Sequence, residues 1–478
     1  MASFFPLEFI GIFITFYVTY KLKFQKYIIS FLFRTQVVYL PLTDIDFKEL
    51  MKLAKENKEN KKQDKFLIRS CQFNEYCEAT KSRKYLDFDF LVFIYFCNFI
   101  VYVFNTLQKI FRIVIIGKEK SPFLINETKN NENNEVETIK ELNISIYLSL
   151  SFIIYIIYRE LSKYVFVSGL FSRPAKEFYL CFIFCFSIFF VNEYYNENLF
   201  KLNYESACKI VNKRIDLILT QAKTNINIDI SKKHLKIFFS ILFALISSIF
   251  LRCSQRGAYF DNFFCNVSKT SQFTVSNNHS YNSERAYHKE MKVEYIPKIK
   301  SIIYIIIIAI LLNPLLDNFL EIININNDNK KFVIIFTLLN IDFISGLFDM
   351  WYAYFMFSVE NYKEIMKFVT RPNQEYLKYH QNTINYINEN AWDVLSHLFM
   401  NCFLPFYIFL CYLNEINIIE NYDKENNDGF NNGFVDNIFY IVFLGIIFSK
   451  GIFENGIFYF RLITKEKTFN FILIEFTT

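Results

Sequence analysis

The chain has 478 residues, of which 53% are hydrophobic and 21% are charged, and its formal net charge is +5. This apolar content is typical of a membrane bundle with polar loops, and so small a charge does not favour a nucleic-acid partner. The 60 Phe and 32 Tyr residues accompany few Gly and Pro residues and many Asn-, Ile- and Lys-rich runs. We interpret the aromatic excess as codon bias, not as a ligand cage.

Nine apolar stretches predict transmembrane helices, because about 20 apolar residues match the roughly 30 Å hydrocarbon core. Lipid offers no partner for backbone N–H and C=O groups, which favours helices. In chain order the stretches are Phe4–Tyr20, Phe88–Leu107, Ile144–Phe166, Phe178–Asn192, Leu235–Leu251, Ile299–Leu316, Phe332–Phe357, Val394–Leu413 and Ile438–Arg461. The sequence therefore predicts an all-α, polytopic helical membrane bundle with about eight or nine transmembrane helices, in one membrane domain over residues 1–478.

The first stretch is the weakest and also resembles a signal peptide. It has no Lys or Arg before its apolar run and no small-residue cleavage site after it, so a retained span is favoured. The distribution of Lys and Arg among the loops favours an N-terminus outside and a C-terminus in the cytosol.

Three polar segments separate the spans. Residues 21–85 and 253–298 are predicted hydrophilic loops, and the first contains an amphipathic helix over Leu42–Leu53 that Thr43 or Asp44 would cap. Residues 359–392 lie between the seventh and eighth spans. Their apolar stripe predicts an interfacial helical segment, either a helical hairpin or a helix at the membrane surface, with Trp392 at headgroup level.

A polar stripe crosses the eighth span, where Asp393, His397, Asn401 and Pro405 recur every four residues and share one helix face. Asp393 and His397 would suit a proton relay or a metal site. The alternative is that Asp393 is a helix-start carboxylate stabilised by the helix dipole, and that His397 and Asn401 only pack.

The seventh and ninth spans also carry charges. Asp342 and Asp349 are seven residues apart on similar sides of one helix, and Lys450 and Glu454 are four apart on another. Lys450 would pair with Glu454, or with Asp342 or Asp349 across a helix interface. Such structural pairing is favoured over an ion path.

No HExxH, GxSxG, Walker or GxGxxG motif occurs, and the five His and ten Cys residues show no metal-ligand spacing. We therefore predict no enzymatic activity, no cofactor and no metal. Asn126, Asn143, Asn266 and Asn278 begin glycosylation sequons. Asn126, Asn266 and Asn278 are the glycosylation candidates, and the predicted orientation places only Asn126 of these three on the lumenal side.

Several segments resemble the transmembrane protein 161 family over nearly the whole chain. They are LFRT followed by TDIDFKELMKLAKE, then LNISIYLSLSF, HLKIFFSILFALISSIFLRCSQ, AYFMFSVENYKEIMKF, LFMNCFLPFYIFL and IIFSKGIF. Lys450-Gly451 stands where the family has a basic residue and Gly. The resemblance implies a multipass membrane protein without established biochemical activity, linked in animals to membrane excitability and stress responses. Its members are sometimes described with a cleaved signal peptide.

The leading hypothesis is a non-enzymatic multipass membrane protein that modulates ion flux, directly or through a partner channel. Its partners would be the lipid bilayer and an ion channel or other membrane protein. One alternative is a transporter or channel with its own polar pathway. The other is an intramembrane enzyme that uses Asp393 and His397.

Overall fold

The computed structural model of the chain is all-α, apart from one two-stranded ribbon among the described residues. The structure describes residues 7–33, 37–60, 70–72, 83–115, 144–163, 169, 172–195, 200, 202, 204–221, 229–257, 295–311, 328–370, 373–423 and 433–458. The asparagines of the four sequons, Asn126, Asn143, Asn266 and Asn278, lie outside these residues.

The first half of the described chain holds seven helices and the ribbon. They are α1 (Leu7–Leu22), α2 (Phe24–Phe33), β1 (Val37–Tyr39), α3 (Asp44–Asn60), β2 (Ser70–Gln72), α4 (Arg83–Ile115), α5 (Ile144–Ser162), α6 (Arg173–Tyr195) and α7 (Tyr204–Gln221). The ribbon is antiparallel, with Val38 opposite Cys71.

The second half holds five α-helices and one π-helix. They are α8 (Lys232–Ile249), α9 (Tyr295–Leu311), α10 (Asp328–Thr370), α11 (Gln374–Asp423), α12 (Gly433–Phe448) and the π-helix Ser449–Phe458. Helical structure resumes after α8 and extends to Gly257. The predicted loop 253–298 therefore begins too early, because residues 253–257 are still helical.

Five helical stretches are long and apolar enough to cross a membrane, which indicates a membrane protein. They are Arg83–Val103, Ala175–Tyr195, Lys232–Gly257, Lys331–Val369 and Gln374–Leu413. Three shorter apolar helices, Ile12–Leu22, Ile302–Leu311 and Asn437–Phe453, coincide with three further predicted spans. The total of eight or nine spans stays a prediction.

The chain divides into two compact units, whose boundaries fall inside α2, α4 and α5. One unit comprises residues 1–28 and 89–159, and the other comprises residues 29–88 and 160–478. In the first unit, aromatic rings of α4 contact α1 and α5. Phe93 meets Phe16 with ring centroids 6.2 Å apart, and Phe90 meets Tyr155 at 5.7 Å.

In the second unit α11 is the central helix, since 94% of its most apolar stretch is buried. It packs antiparallel to α10: Phe343 contacts Phe403 near one end, and Phe368 stacks on His380 near the other. A second core, formed by α6, α7, α8 and α12, surrounds the fully buried Phe189, Phe239 and Phe243.

The segment 359–392 continues α10 and α11 and forms the end of a helical hairpin, one of the two predicted forms. Asn361 donates to Asn388 between the two helices. Trp392, which is predicted at headgroup level, is only 2% exposed and packs against Tyr85 and Phe88.

Helix α3 docks on this hairpin and confirms the amphipathic helix predicted in the first loop. Thr43 is its cap: the Thr43 backbone N–H donates to Asp46 Oδ2 at 2.8 Å, as does its hydroxyl at 2.7 Å. Leu42 and Phe47 are buried with hairpin residues that include Ile365 and Ile384.

Gly346 allows α10 and α11 to approach closely, because a Cβ at this position would collide with Cys402 of α11. Gly346→Ala should therefore destabilise the folded chain by about 1–3 kcal/mol through overpacking. The measurement is the thermal unfolding midpoint in detergent, together with abundance at the membrane. Thr337→Ala, on the exposed face of the same helix, is the matched control. Equal behaviour of the two variants would contradict this close approach.

Candidate functional site

Asp393, His397 and Asn401 lie on one face of α11, as the four-residue spacing predicts, and this face points into the second unit. His397 and Asn401 are buried, at 0% and 3% exposure. The helix-start explanation of Asp393 is wrong, since α11 begins at Gln374 and Asp393 lies in its interior. The carboxylate is instead stabilised by cations from two other elements.

We call the first group of charges the histidine cluster: Glu160, Lys163, Arg256, Asp393 and His397. Arg256 Nη2 lies 2.7 Å from Asp393 Oδ2, and Lys163 Nζ lies 3.4 Å from Asp393 Oδ1. Lys163 also binds Glu160 Oε1 at 3.0 Å, and Glu160 Oε2 lies 3.2 Å from His397 Nε2. Two carboxylates thus face two cations, so the four charges around the imidazole cancel.

We call the second group the lysine cluster: Tyr304, Asp342, Asn401 and Lys450. Lys450 Nζ lies 3.2 Å from Asp342 Oδ2 and 2.5 Å from the Tyr304 hydroxyl, which itself donates to Asp342. The side chains of Lys450 and Asp342 are each only 3% exposed. A buried ammonium is therefore neutralised by one carboxylate and oriented by a phenol.

Pro405 explains how the backbone of α11 contributes to the lysine cluster. Proline has no N–H, so inside a helix it leaves the carbonyl four residues earlier without its usual partner. That carbonyl belongs to Asn401, and it accepts a hydrogen bond from Lys450 Nζ at 2.6 Å. The proline of the sequence stripe thus supplies an acceptor, while the Asn401 side chain donates to the Cys253 carbonyl at 3.0 Å.

The backbone around Lys450 is also specialised. Lys450 belongs to the π-helix Ser449–Phe458, and π-helical turns are frequent at functional sites. Its neighbour Gly451 faces Tyr304 and Ile308 of α9, where an added Cβ would collide with Ile308. Ser449 contacts Ser254 through their hydroxyl oxygens, 3.0 Å apart.

The other predicted candidates stand as follows. The sequence offers Glu454, Asp342 or Asp349 as the partner of Lys450, and the acid that pairs with it is Asp342. Asp349 is half-buried two turns farther along α10. The side chain of Glu454 lies outside the described residues, so the i,i+4 pair stays a prediction.

Four residues of these clusters were not among the predicted site residues: Glu160, Lys163, Arg256 and Tyr304. Arg256 falls in the predicted loop 253–298, although it is helical. Glu160 gives a usable sequence signal as an acid inside an apolar stretch, and Tyr304 gives another as the one hydroxyl within IIYIIII. Lys163 gives none, because a lysine at the end of a span is ordinary.

An aromatic cluster follows the lysine cluster along α11. Its members are Phe332, Phe336, Phe343, Phe403, Phe406, Phe409 and Phe443. Phe343 meets Phe403 with centroids 4.5 Å apart and Phe406 at 5.2 Å, and Phe409 meets Phe443 at 5.0 Å. Contacts of this kind join α10, α11 and α12, and Tyr412 extends the cluster by contacting Phe332 and Phe409.

Within the described ranges, no group of three or more His, Cys, Asp or Glu residues is arranged to hold a metal ion. Cys181 and Cys185 are buried, with their sulfurs 3.9 Å apart.

A scan against family models and searches of curated proteins and of solved structures give no match to the chain. Membership of the transmembrane protein 161 family therefore stays a prediction.

Lys450→Met should lower membrane abundance and thermal stability, because it leaves the Asp342 carboxylate buried without its cation. Breaking such a pair costs about 3–5 kcal/mol. The double variant Lys450→Met/Asp342→Leu should recover part of this loss, since no uncompensated charge remains. Asp349→Asn is the control, as it removes an acid from the same helix. Normal abundance of Lys450→Met alone would contradict the pairing and indicate that the lysine faces water.

Proposed function

We propose that the chain is a non-enzymatic multipass membrane protein that controls ion flux by acting on a partner membrane protein. The resemblance to the transmembrane protein 161 family and the predicted eight or nine spans are part of this proposal. The observation that carries it is a charge-compensated polar region that occupies one part of the second unit, next to an aromatic cluster.

The lengths of α10 and α11 suggest how these regions lie in a bilayer. At 1.5 Å per residue, the 50 residues of α11 extend about 75 Å, more than twice the hydrocarbon thickness. Its polar first part, up to Asp393, would lie outside the hydrocarbon, and its apolar part would begin at Val394. The histidine cluster then lies at one edge of the hydrocarbon, and the lysine cluster lies about 12 Å deeper, eight residues along the helix.

The exposure of the side chains agrees with this arrangement. It falls from 23% at Asp393 and 22% at Lys163 to 11% at Arg256 and 1% at His397. Farther along α11 than the lysine cluster, the side chains are those of the aromatic cluster. A polar route would therefore enter from the hairpin end and stop near the middle of the bilayer, which favours modulation of a partner over conduction by the chain itself.

The pairing of the charges also weighs against intramembrane catalysis. Both ring nitrogens of His397 contact protein groups, and Asp393 is held by two cations. A general base or nucleophile needs a partner position open to substrate. The second candidate, a transporter with its own pathway, is favoured by the polar half of the route but requires the aromatic half to open.

Whole-cell recording tests the proposal. Cells that express the chain should show a changed membrane conductance, whereas vesicles that contain only the purified chain should show no more ion flux than protein-free vesicles. Ion flux in the vesicles that contain only the purified chain would overturn the partner model. It would support the transporter if substitutions in the histidine cluster or the lysine cluster abolish that flux.

A residue-level version of this test uses His397→Gln, which keeps a hydrogen-bonding side chain of similar size. We expect normal membrane abundance and loss of at least half of the conductance effect, because glutamine cannot take up charge. Thr337→Ala, on the exposed face of α10, should keep the full effect. A fully active His397→Gln chain would mean that His397 has only a packing role.

A further inference from the structure

We infer that His397 is a proton-binding site whose two protonation states use different hydrogen-bond partners. This inference rests on the proposed control of ion flux and deepens it, since it names the proton as the ion that the site detects. It follows from the contacts of the two ring nitrogens.

Nδ1 of His397 has two neighbours with opposite requirements. The Asp393 backbone carbonyl, 2.8 Å away, can only accept a hydrogen bond, and Arg256 Nη1 can only donate one. One ring nitrogen carries either a lone pair or a hydrogen, so it satisfies one neighbour at a time. The neutral ring accepts from Arg256, and the protonated ring donates to the Asp393 carbonyl.

Nε2 keeps the same partner in both states. It lies 3.2 Å from Glu160 Oε2, and because an ionised carboxylate only accepts, Nε2 carries its hydrogen throughout. Proton uptake therefore forms one N–H bond at Nδ1 and breaks one O–H bond of a hydronium ion, which is left as water. The proton comes from water and returns to it when the reaction reverses.

The charges that face the ring decide what else must change. Glu160 and Lys163 approach from the α5 side, Arg256 from the helical continuation of α8, and Asp393 from α11 itself. These four charges cancel, so a protonated ring brings the cluster to +1. Repulsion from the new charge would drive Arg256 away from Nδ1, and its remaining bond to Asp393 Oδ2 would guide that movement.

This exchange of partners links protonation to the packing of three elements. Arg256 lies in the same helical stretch as Cys253 and Ser254. The Cys253 carbonyl accepts a hydrogen bond from Asn401, and the Ser254 hydroxyl contacts that of Ser449. A displacement of Arg256 would thus shift the contacts that this stretch makes with the π-helix and with Asn401 of the lysine cluster. The proton would reach His397 from water on the side of Asp393 and Lys163, the more exposed members of the cluster.

Nitrogen NMR of the full chain in lipid nanodiscs, with 15N-labelled histidine, tests the inference directly. His397→Gln identifies the His397 signals. At pH 8 we expect the tautomer with hydrogen on Nε2 and a bare Nδ1, and as the pH falls to 4 we expect the doubly protonated ring to increase. Hydrogen on Nδ1 at pH 8 would overturn the inference.

The same titration of His397 in the Arg256→Gln variant is the second part of the experiment. It removes a donor and a positive charge from Nδ1, so the proton affinity of His397 should rise at least about tenfold, which is one pH unit. Arg252→Gln, one turn earlier in the same helical stretch, should leave the affinity within about twofold. A ring that stays in one form from pH 9 to 4, in the wild type and in Arg256→Gln alike, would exclude the site.

The wild-type measurement stands even if Arg256→Gln fails to fold. It also needs no ion flux, so the two proposals fail separately. A titrating His397 in a chain without any effect on conductance would remove the proposed function and leave the proton site in place.

Discussion

The second unit depends on the neutralisation of one buried ammonium group. Lys450 lies among apolar helices, where an unpaired charge would cost several kcal/mol. Its three acceptors come from three helices: Tyr304 from α9, Asp342 from α10 and the Asn401 carbonyl from α11. Satisfying this single group therefore fixes the positions of those helices relative to the π-helix.

The backbone features near Lys450 serve the same requirement. Pro405 costs α11 one helical hydrogen bond, and the carbonyl that it leaves is the one that Lys450 uses. Gly451 lets α9 come close enough for the Tyr304 hydroxyl to reach the ammonium. A proline, a glycine and a π-helix, each unfavourable in an ordinary helix, together complete the coordination of one lysine.

The sequence predicts the long apolar helices and the stripe of α11, because both follow from spacing along a single helix. It could not choose Asp342 over Asp349 as the partner of Lys450, since the two acids lie on similar sides of α10. That choice depends on how far one helix is shifted along another. For the same reason Arg256 and Glu160 could not be assigned to His397: helix neighbours are set by packing of the whole unit, not by periodicity.

The succession of a polar region and an aromatic region along α11 has an electrical consequence. In a bilayer, a transmembrane voltage falls mainly across the material of lowest dielectric constant, here the rings around Phe343, Phe403 and Phe409. A unit charge that crosses the full potential changes in energy by about 2.3 kcal/mol per 100 mV. The field would therefore concentrate on the aromatic side of Lys450, so that a displacement of this charge towards the rings would carry more electrical work than an equal displacement of Arg256.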